Sequence, residues 1–437
     1  MAGQRPERTN TAIAAWMARR LGLGSIHRSD DVTDRAVLLA LFGRFVDELA
    51  SGVPLVLMPT LRARLGLTVA QVGWCLQALY GVAAVVEPVT AAAVDVVRRR
   101  PLLVWGALGW AVSLLLVGGA PTYGWLLLAF GVAGAASGPL AHTTDVLLVE
   151  MHPGAEERIG ARQTLLDTVG ALLAPAAVAL VSWTGGDPRL VLVGSGIAIL
   201  GYAILLARTS MPDPPGRATA GAGQAATSSV ALETAWQSLR QARENLSVVL
   251  RDREARVWLA ALLGDAVVEI PALFTPVWLG GEIGASQAMV AVHAAVELAA
   301  SLVGLLLLDR WVQQHDARAI LTVAGIANLV VYPVWLFVPG VLSKIVLVVP
   351  LAIAMAPVWP LVRARALKAA PNRGGMVLAI TSLYGLLPLA ALFGWFSARV
   401  GLTSAMFAVH MTATLGILVT IQQRVPDRRP SDERGTV

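Results

Sequence analysis

Twelve long apolar runs recur along this chain, at about 36–60, 69–94, 101–119, 122–148, 163–183, 189–208, 257–279, 287–308, 317–337, 342–362, 375–397 and 401–422. Each approaches or exceeds the ~20 residues that carry a helix across a bilayer. Hydrocarbon offers no hydrogen bonds, so a crossing segment must satisfy its own backbone, as a helix or in a closed barrel. A barrel would show alternating strands of ~10 residues, and the sequence has none. With 56% hydrophobic and 14% charged residues, 437 residues supply too little polar surface for a soluble fold. The expected fold class is an all-α membrane protein of twelve transmembrane helices.

The runs fall into two similar sets. Asp47 precedes Gly66 of Leu65-Gly66-Leu67-Thr68 by nineteen residues, and Asp265 precedes Gly284 of Ile283-Gly284-Ala285-Ser286 by the same interval. Asp95 and Asp309 each end an apolar run. Arg158-x-Gly160 stands before Gly170 as Arg373-x-Gly375 stands before Gly385. The separations are 218, 214, 215 and 215 residues. This predicts a six-helix bundle over 36–208 and a second over 257–422, with tails at 1–35 and 423–437 and a linker at 209–256. Two related bundles can rock about a site between them, which points to transport of a small molecule. In the linker, Pro212–Ser229 reads as flexible. Ala231–Arg256 places Leu232, Trp236, Leu239, Leu246 and Leu250 at helical spacing, as an amphipathic helix that either latches the halves or only joins them.

Charge sets the expected orientation. Of 34 Lys and Arg residues, 28 fall on one side of the twelve runs, 5 on the other, and Arg44 lies within a run. The positive-inside rule then puts both termini in the cytoplasm, in a cell (inner) membrane. The net charge of +6 is scattered over seven segments and implies no nucleic-acid partner. The single cysteine, Cys75, allows no internal disulfide, and no phosphate-cradling Gly-x-x-x-x-Gly-Lys loop is present. No cofactor is expected, and the chain is expected to act as a monomer.

Ionisable residues inside the runs cost about 2.5–3.5 kcal/mol each on insertion scales, so each needs a reason. Arg44, Asp47 and Glu48 share one helix face, where Arg44 pairs with either acid or leaves one free for a proton or a cation. Asp265 and Glu269 share another face with no base nearby in sequence. Glu87 and Glu297 lie in the second and eighth runs, with His293 one turn before Glu297. His142, Asp145, Glu150 and His152 are metal-ligand types, but the expected partners of Asp145 and Glu150 are Arg158 or Arg162. Among the tryptophans, Trp74 and Trp359 are the expected cavity contacts.

Several of these stretches resemble the major facilitator superfamily. Ala91-Ala-Ala-Val-Asp95-Val96-Val97-Arg98-Arg99-Arg100 keeps the aspartate and closing basic pair of the family's loop after span two, without its glycines and first arginine. Asp309-Arg310 matches the equivalent place in the second half. Gly138-Pro139, Asp145, Glu156-Glu157-Arg158-x-Gly160 and Asp167-Thr168-x-Gly170 are similar to the region after span four. The antiporter signature of span five keeps only Gly170 and Pro175 here, and the arginine common in span four of proton antiporters is absent near Leu127. The resemblance implies two pseudo-symmetric bundles, with Asp47 and Asp265 facing each other across a central pathway. It also implies a cytoplasmic gate of Asp95, Arg98, Arg99, Arg100, Asp145, Arg158, Asp309, Arg310 and Arg373. The expected function is secondary active transport by alternating access, as proton-coupled export of an amphipathic or cationic compound. Import of a nutrient and lipid flipping are alternatives within the fold; a membrane-embedded enzyme or a transport-dead sensor is the alternative from another class.

Overall fold

A computed structural model describes residues 31–94, 97–151, 156–212, 252–369, 381–382 and 384–423. The helices are α1 Asp31–Val56, α2 Met58–Leu65, α3 Val69–Val94, α4 Arg99–Gly119, α5 Tyr123–Met151, α6 Glu156–Trp183 and α7 Arg189–Arg208 in the N-terminal half. The C-terminal half has α8 Arg253–Gly281, α9 Gln287–Val312, α10 Ala317–Phe337, α11 Val341–Met355, α12 Val358–Ala369, α13 Leu389–Val400 and α14 Leu402–Ile421. Among the described residues, ten helical segments are long and apolar enough to cross a membrane, α11 and α12 together forming one. The charged α1 and the shorter apolar α13 complete the twelve-helix arrangement. The residues expected to begin the eleventh span (370–380) and most of the expected linker helix (231–251) lie outside the described residues.

The internal repeat is visible in the helix bounds themselves. Val69–Val94 and Gln287–Val312 are both 26 residues long and start 218 apart (69 against 287). Arg99–Gly119 and Ala317–Phe337 are both 21 residues long, again 218 apart (99 against 317). The reason lies in matched turns. Gly66 and Gly284 take φ of 61° and 72°, which a side chain would resist, and so end the preceding helix. Two residues later Thr68 and Ser286 cap the next helix by accepting the backbone N–H of Gln71 (3.2 Å) and Met289 (3.3 Å). Gly185, Gly340 and Gly401 also have positive φ and join helices at the same end of the molecule. This end is called the turn face, and the opposite end, with Arg98–Arg100, the basic face.

Two expected spans are broken. The first divides at Leu57 into α1 and α2, with proline in the first turn of α2. The tenth divides at Ala356-Pro357 into α11 and α12, where the proline removes one helix hydrogen bond. Within each half, α4 packs on α5 and α10 on α11. The halves meet through α3 against α13 and α6 against α9, two contacts exchanged by the pseudo-dyad.

Small residues let the helices approach closely. A Cβ placed on Gly134 of α5 would stand 2.2 Å from the Leu79 carbonyl oxygen of α3. Gly134→Ala therefore forces the two helices apart and is expected to cost about 1–3 kcal/mol. The buried, single Cys75 gives the readout, because a thiol-reactive dye reports its exposure on heating in detergent. Melting at the wild-type temperature would show that this crossing is looser than described.

Candidate functional site

Asp47 of α1 and Asp265 of α8 occupy matched positions, and their surroundings separate them. Asp47 is buried in the N-terminal half, where its Oδ1 accepts the indole N–H of Trp110 at 2.7 Å and its Oδ2 accepts the Ser137 hydroxyl at 3.4 Å. Arg44 does not pair with Asp47 or Glu48 as their spacing suggested. It donates to both oxygens of Asp167 on α6, at 3.0 and 2.8 Å, and lies 3.7 Å from Asp145 on α5. A guanidinium fork matches a carboxylate presented end-on from a facing helix better than one beside it on its own helix. Asp47 is in any case occupied by Trp110. Asp167 is thus a site residue that the spacing argument missed, although it stands in the stretch beside Gly170. The Glu48 carboxylate makes no hydrogen bond among the described residues, while its backbone carbonyl accepts the Ser51 hydroxyl at 3.1 Å.

In the N-terminal half the packing is close beside Trp110, the partner of Asp47. Trp110 and Phe130 leave a space of about 10 Å³ there. The C-terminal half instead holds a cavity of about 350 Å³, lined by Asp265, Glu269, Glu297, Tyr332, Trp335, Trp359 and His410 among others. Two substitutions between the repeats accompany the difference. Counting 218 residues on, Trp110 becomes Asn328 and Ser137 becomes Met355. Asn328 turns to other partners: its Oδ1 lies 3.0 Å from His410 Nε2 and its amide reaches Thr414 at 3.4 Å. His410 stacks flat on Tyr332, with ring centroids 3.5 Å apart. Asp265, 2% exposed, has no hydrogen-bond donor among the described residues, and its Oδ2 is sealed from solvent.

A second space of about 210 Å³ lies where the halves meet, between Gln77 and Tyr80 of α3, Leu273 of α8 and Tyr384. Glu269 and Trp359 line both spaces. Glu297 faces the larger one, with its Oε2 3.7 Å from His293 Nδ1. That is within ion-pair range and too long for the hydrogen bond their spacing allowed. Among the described residues, no Lys or Arg lines either space. Each matched aspartate is thus set into its own half, Asp47 by its hydrogen bonds and Asp265 by its cavity, rather than facing the other across one pathway. Trp359 borders both spaces as expected; Trp74, 52% exposed on α3, borders neither. Glu87 on α3 bonds the Ser382 hydroxyl and so joins the two halves.

The expected gate residues have varied placements. Arg99 is buried and pairs at 2.7 Å with Glu150. This ties the start of α4 to the end of α5 within one half. At the corresponding place in the other half, Asp316 at the head of α10 pairs with Arg365 of α12. Burial opposes ionisation of Asp316, but the Arg318 backbone N–H and Arg365 outweigh it and hold the carboxylate below its usual range. Asp145 accepts the Gln163 amide at 3.0 Å and lies 3.7 Å from Arg44. The charge of Arg363, on the other half, also reaches Asp145. Arg98, Arg100, Asp309 and Arg310 are exposed and form no ion pair among the described residues. Asp95, His152, Arg373 and the side chains of Arg158 and Arg162 lie outside the described residues.

The halves are fastened at the turn face. Thr60 Oγ1 donates to Gln287 Oε1 at 2.7 Å, and Gln287 Nε2 donates to the Val56 carbonyl at 2.9 Å. Deeper in, Gln77 Nε2 donates to the Gly385 carbonyl at 3.0 Å.

Solved structures share this architecture. A bacterial homolog of the human lysosomal transporter Spinster, described as inward-facing and unoccupied, superposes with a TM-score of 0.66 at 16% identity, over 90% of this chain and 95% of its own. The nucleoside transporter NupG gives 0.64 at 13% identity, over 88% and 97%. A D-xylose-proton symporter gives 0.65 at 13% identity, over 91% and 98%. No curated protein matches the sequence. The family model for the Major Facilitator Superfamily matches residues 40–392, most of the chain and both bundles. With the duplicated six-helix halves and the acid-lined cavity of the C-terminal half, this multi-pass membrane protein belongs to the Major Facilitator Superfamily, with the secondary-transporter fold.

Proposed function

We propose that the chain is a proton-coupled exporter of a cationic, amphipathic small molecule. The observation that carries this reading is the lining of the C-terminal cavity: Asp265, Glu269 and Glu297 with aromatic rings, and no Lys or Arg among the described residues. Such a lining attracts positive charge and repels anions. A carboxylate here is neutralised either by a proton or by a bound cation. Competition between the two makes the site an exchanger once it opens alternately to each side.

In this reading the basic face is cytoplasmic, both termini lie inside, and the membrane is the cell membrane. The hydrogen bonds at Thr60, Gln287 and Gln77 close the outer side, so the cavity loads from within. Closing the basic face would bring Asp145 toward Arg363, which occupy matched positions 218 residues apart (145 against 363). Asp95, Arg158 and Arg373 would join that closure, with Arg98, Arg100, Asp309 and Arg310 fixing the orientation of the loops.

The test is accumulation in proteoliposomes of everted orientation, with a fluorescent lipophilic amine as cargo and the passive trapping seen in protein-free liposomes subtracted. An acidic lumen should drive uptake, and collapsing the pH gradient should stop it. Glu269→Gln should lower gradient-driven uptake about tenfold or more while leaving the melting temperature near that of wild type. Uptake indifferent to the gradient in both proteins would remove proton coupling from the proposal.

A further inference from the structure

The geometry at Asp265 narrows the class of cation, on the footing that the cavity is a cation site. Its duplicate shows what a carboxylate in this place requires. Asp47 is met by an N–H at 2.7 Å and a hydroxyl at 3.4 Å. In the C-terminal half the acceptor is kept and both donors are gone. Asn328, at the place of Trp110, is committed to His410 and Thr414. Met355, at the place of Ser137, has no polar hydrogen to give.

The other groups around Asp265 do not fill the gap. Glu269 on its own helix and Glu297 on α9 are further acceptors. The His410 ring on α14 is engaged by Asn328 and by the Val268 carbonyl. Tyr332 on α10 is buried, and its hydroxyl has no partner among the described residues. The lining from α11 and α12 carries no charge. The hydroxyls of Thr275, Ser301 and Tyr332 belong to residues of the same lining, yet no donor among the described residues bonds Asp265, and the space to hold one is present.

We infer that the C-terminal cavity takes a protonated amine, a cation with at least one N–H, which donates to Asp265 where an indole N–H serves Asp47. The body of the ligand rests on Trp335 and Trp359, with Tyr332 in the same lining. A quaternary ammonium carries the same charge but brings no donor. It would leave a buried carboxylate without a hydrogen bond, so it is rejected in favour of the amine.

The experiment is calorimetric binding to the purified full chain at neutral pH, using matched probes. Benzyldimethylamine is compared with benzyltrimethylammonium, and the corresponding naphthylmethyl pair supplies a larger body. The expected result is that each tertiary amine binds at least tenfold more tightly than its quaternary partner, and that Asp265→Asn abolishes the difference. If quaternary and tertiary probes bind equally to wild type and both are lost in Asp265→Asn, the N–H requirement is wrong while the cation site stands. If neither class binds, or both bind Asp265→Asn as they bind wild type, the cation reading of this cavity fails, and this inference with it. The wild-type comparison decides the N–H question even if the variant folds poorly.

Discussion

Arg44→Met is expected to lower the stability of this protein by about 3 kcal/mol, the low end of the range for removing one partner of a buried ion pair. Arg44 holds Asp167 through two hydrogen bonds and stands 3.7 Å from Asp145, with its side chain 19% exposed. Removing it leaves two carboxylates facing each other, with Asp47 and Glu48 close by on α1. Mutual repulsion then acts on the crossing of α1 with α6, where an ideal Cβ on Gly170 would stand only 2.4 Å from the Phe45 carbonyl. The double variant Arg44→Met, Asp167→Leu should recover most of the loss, because an apolar pair avoids stranding either charge. Thermal melting followed through Cys75 reads both proteins. A single variant that melts with wild type would mean that this network is solvated enough to behave as a surface pair, worth no more than about 1 kcal/mol.

The same network shows where sequence reasoning reaches and where it stops. Helix number, the duplication and the paired glycine turns were all legible, because they depend on apolar length, on a constant offset and on a φ that few residues adopt. The acids were legible as exceptional residues. Which acid is free was not. Asp47 is settled by Trp110 and Ser137, which are 63 and 90 residues away. Arg44 is settled by Asp167, 123 residues away. Spacing along one helix identifies residues that share a face, but a facing helix with better hydrogen-bond geometry takes precedence. The gate shows the same limit. Arg98, Arg99 and Arg100 read as one cluster, yet Arg99 is buried against Glu150 while its neighbours are exposed. The offset of 218 does contain a usable signal: it pairs Trp110 with Asn328 and Ser137 with Met355. Only the contact of Trp110 with Asp47 says why that divergence matters.

From that divergence comes the sharpest contrast expected between two conservative substitutions at duplicated positions. Asp265→Asn should reduce transport roughly ten- to hundredfold, the effect of losing a hydrogen bond to a charged group. It breaks no hydrogen bond among the described residues, and it removes a buried charge that none of them neutralises. Its melting temperature should therefore match or exceed that of wild type. Asp47→Asn should do the reverse. Its amide oxygen can still accept from Trp110, but the charge that strengthens a 2.7 Å bond is gone. Stability should fall by about 1 kcal/mol, and Asp47→Ala, which strands the indole N–H, by about 1–3 kcal/mol. Transport per folded molecule should stay within about twofold of wild type in Asp47→Asn, a shift of under about 0.5 kcal/mol. The measurement is initial transport rate normalised to folded protein, paired with a detergent melt of each variant. Equal loss of transport in both would mean that the two acids still act as one symmetric pair. Loss confined to Asp47→Asn would move the working site into the half that Trp110 fills, against the packing observed there.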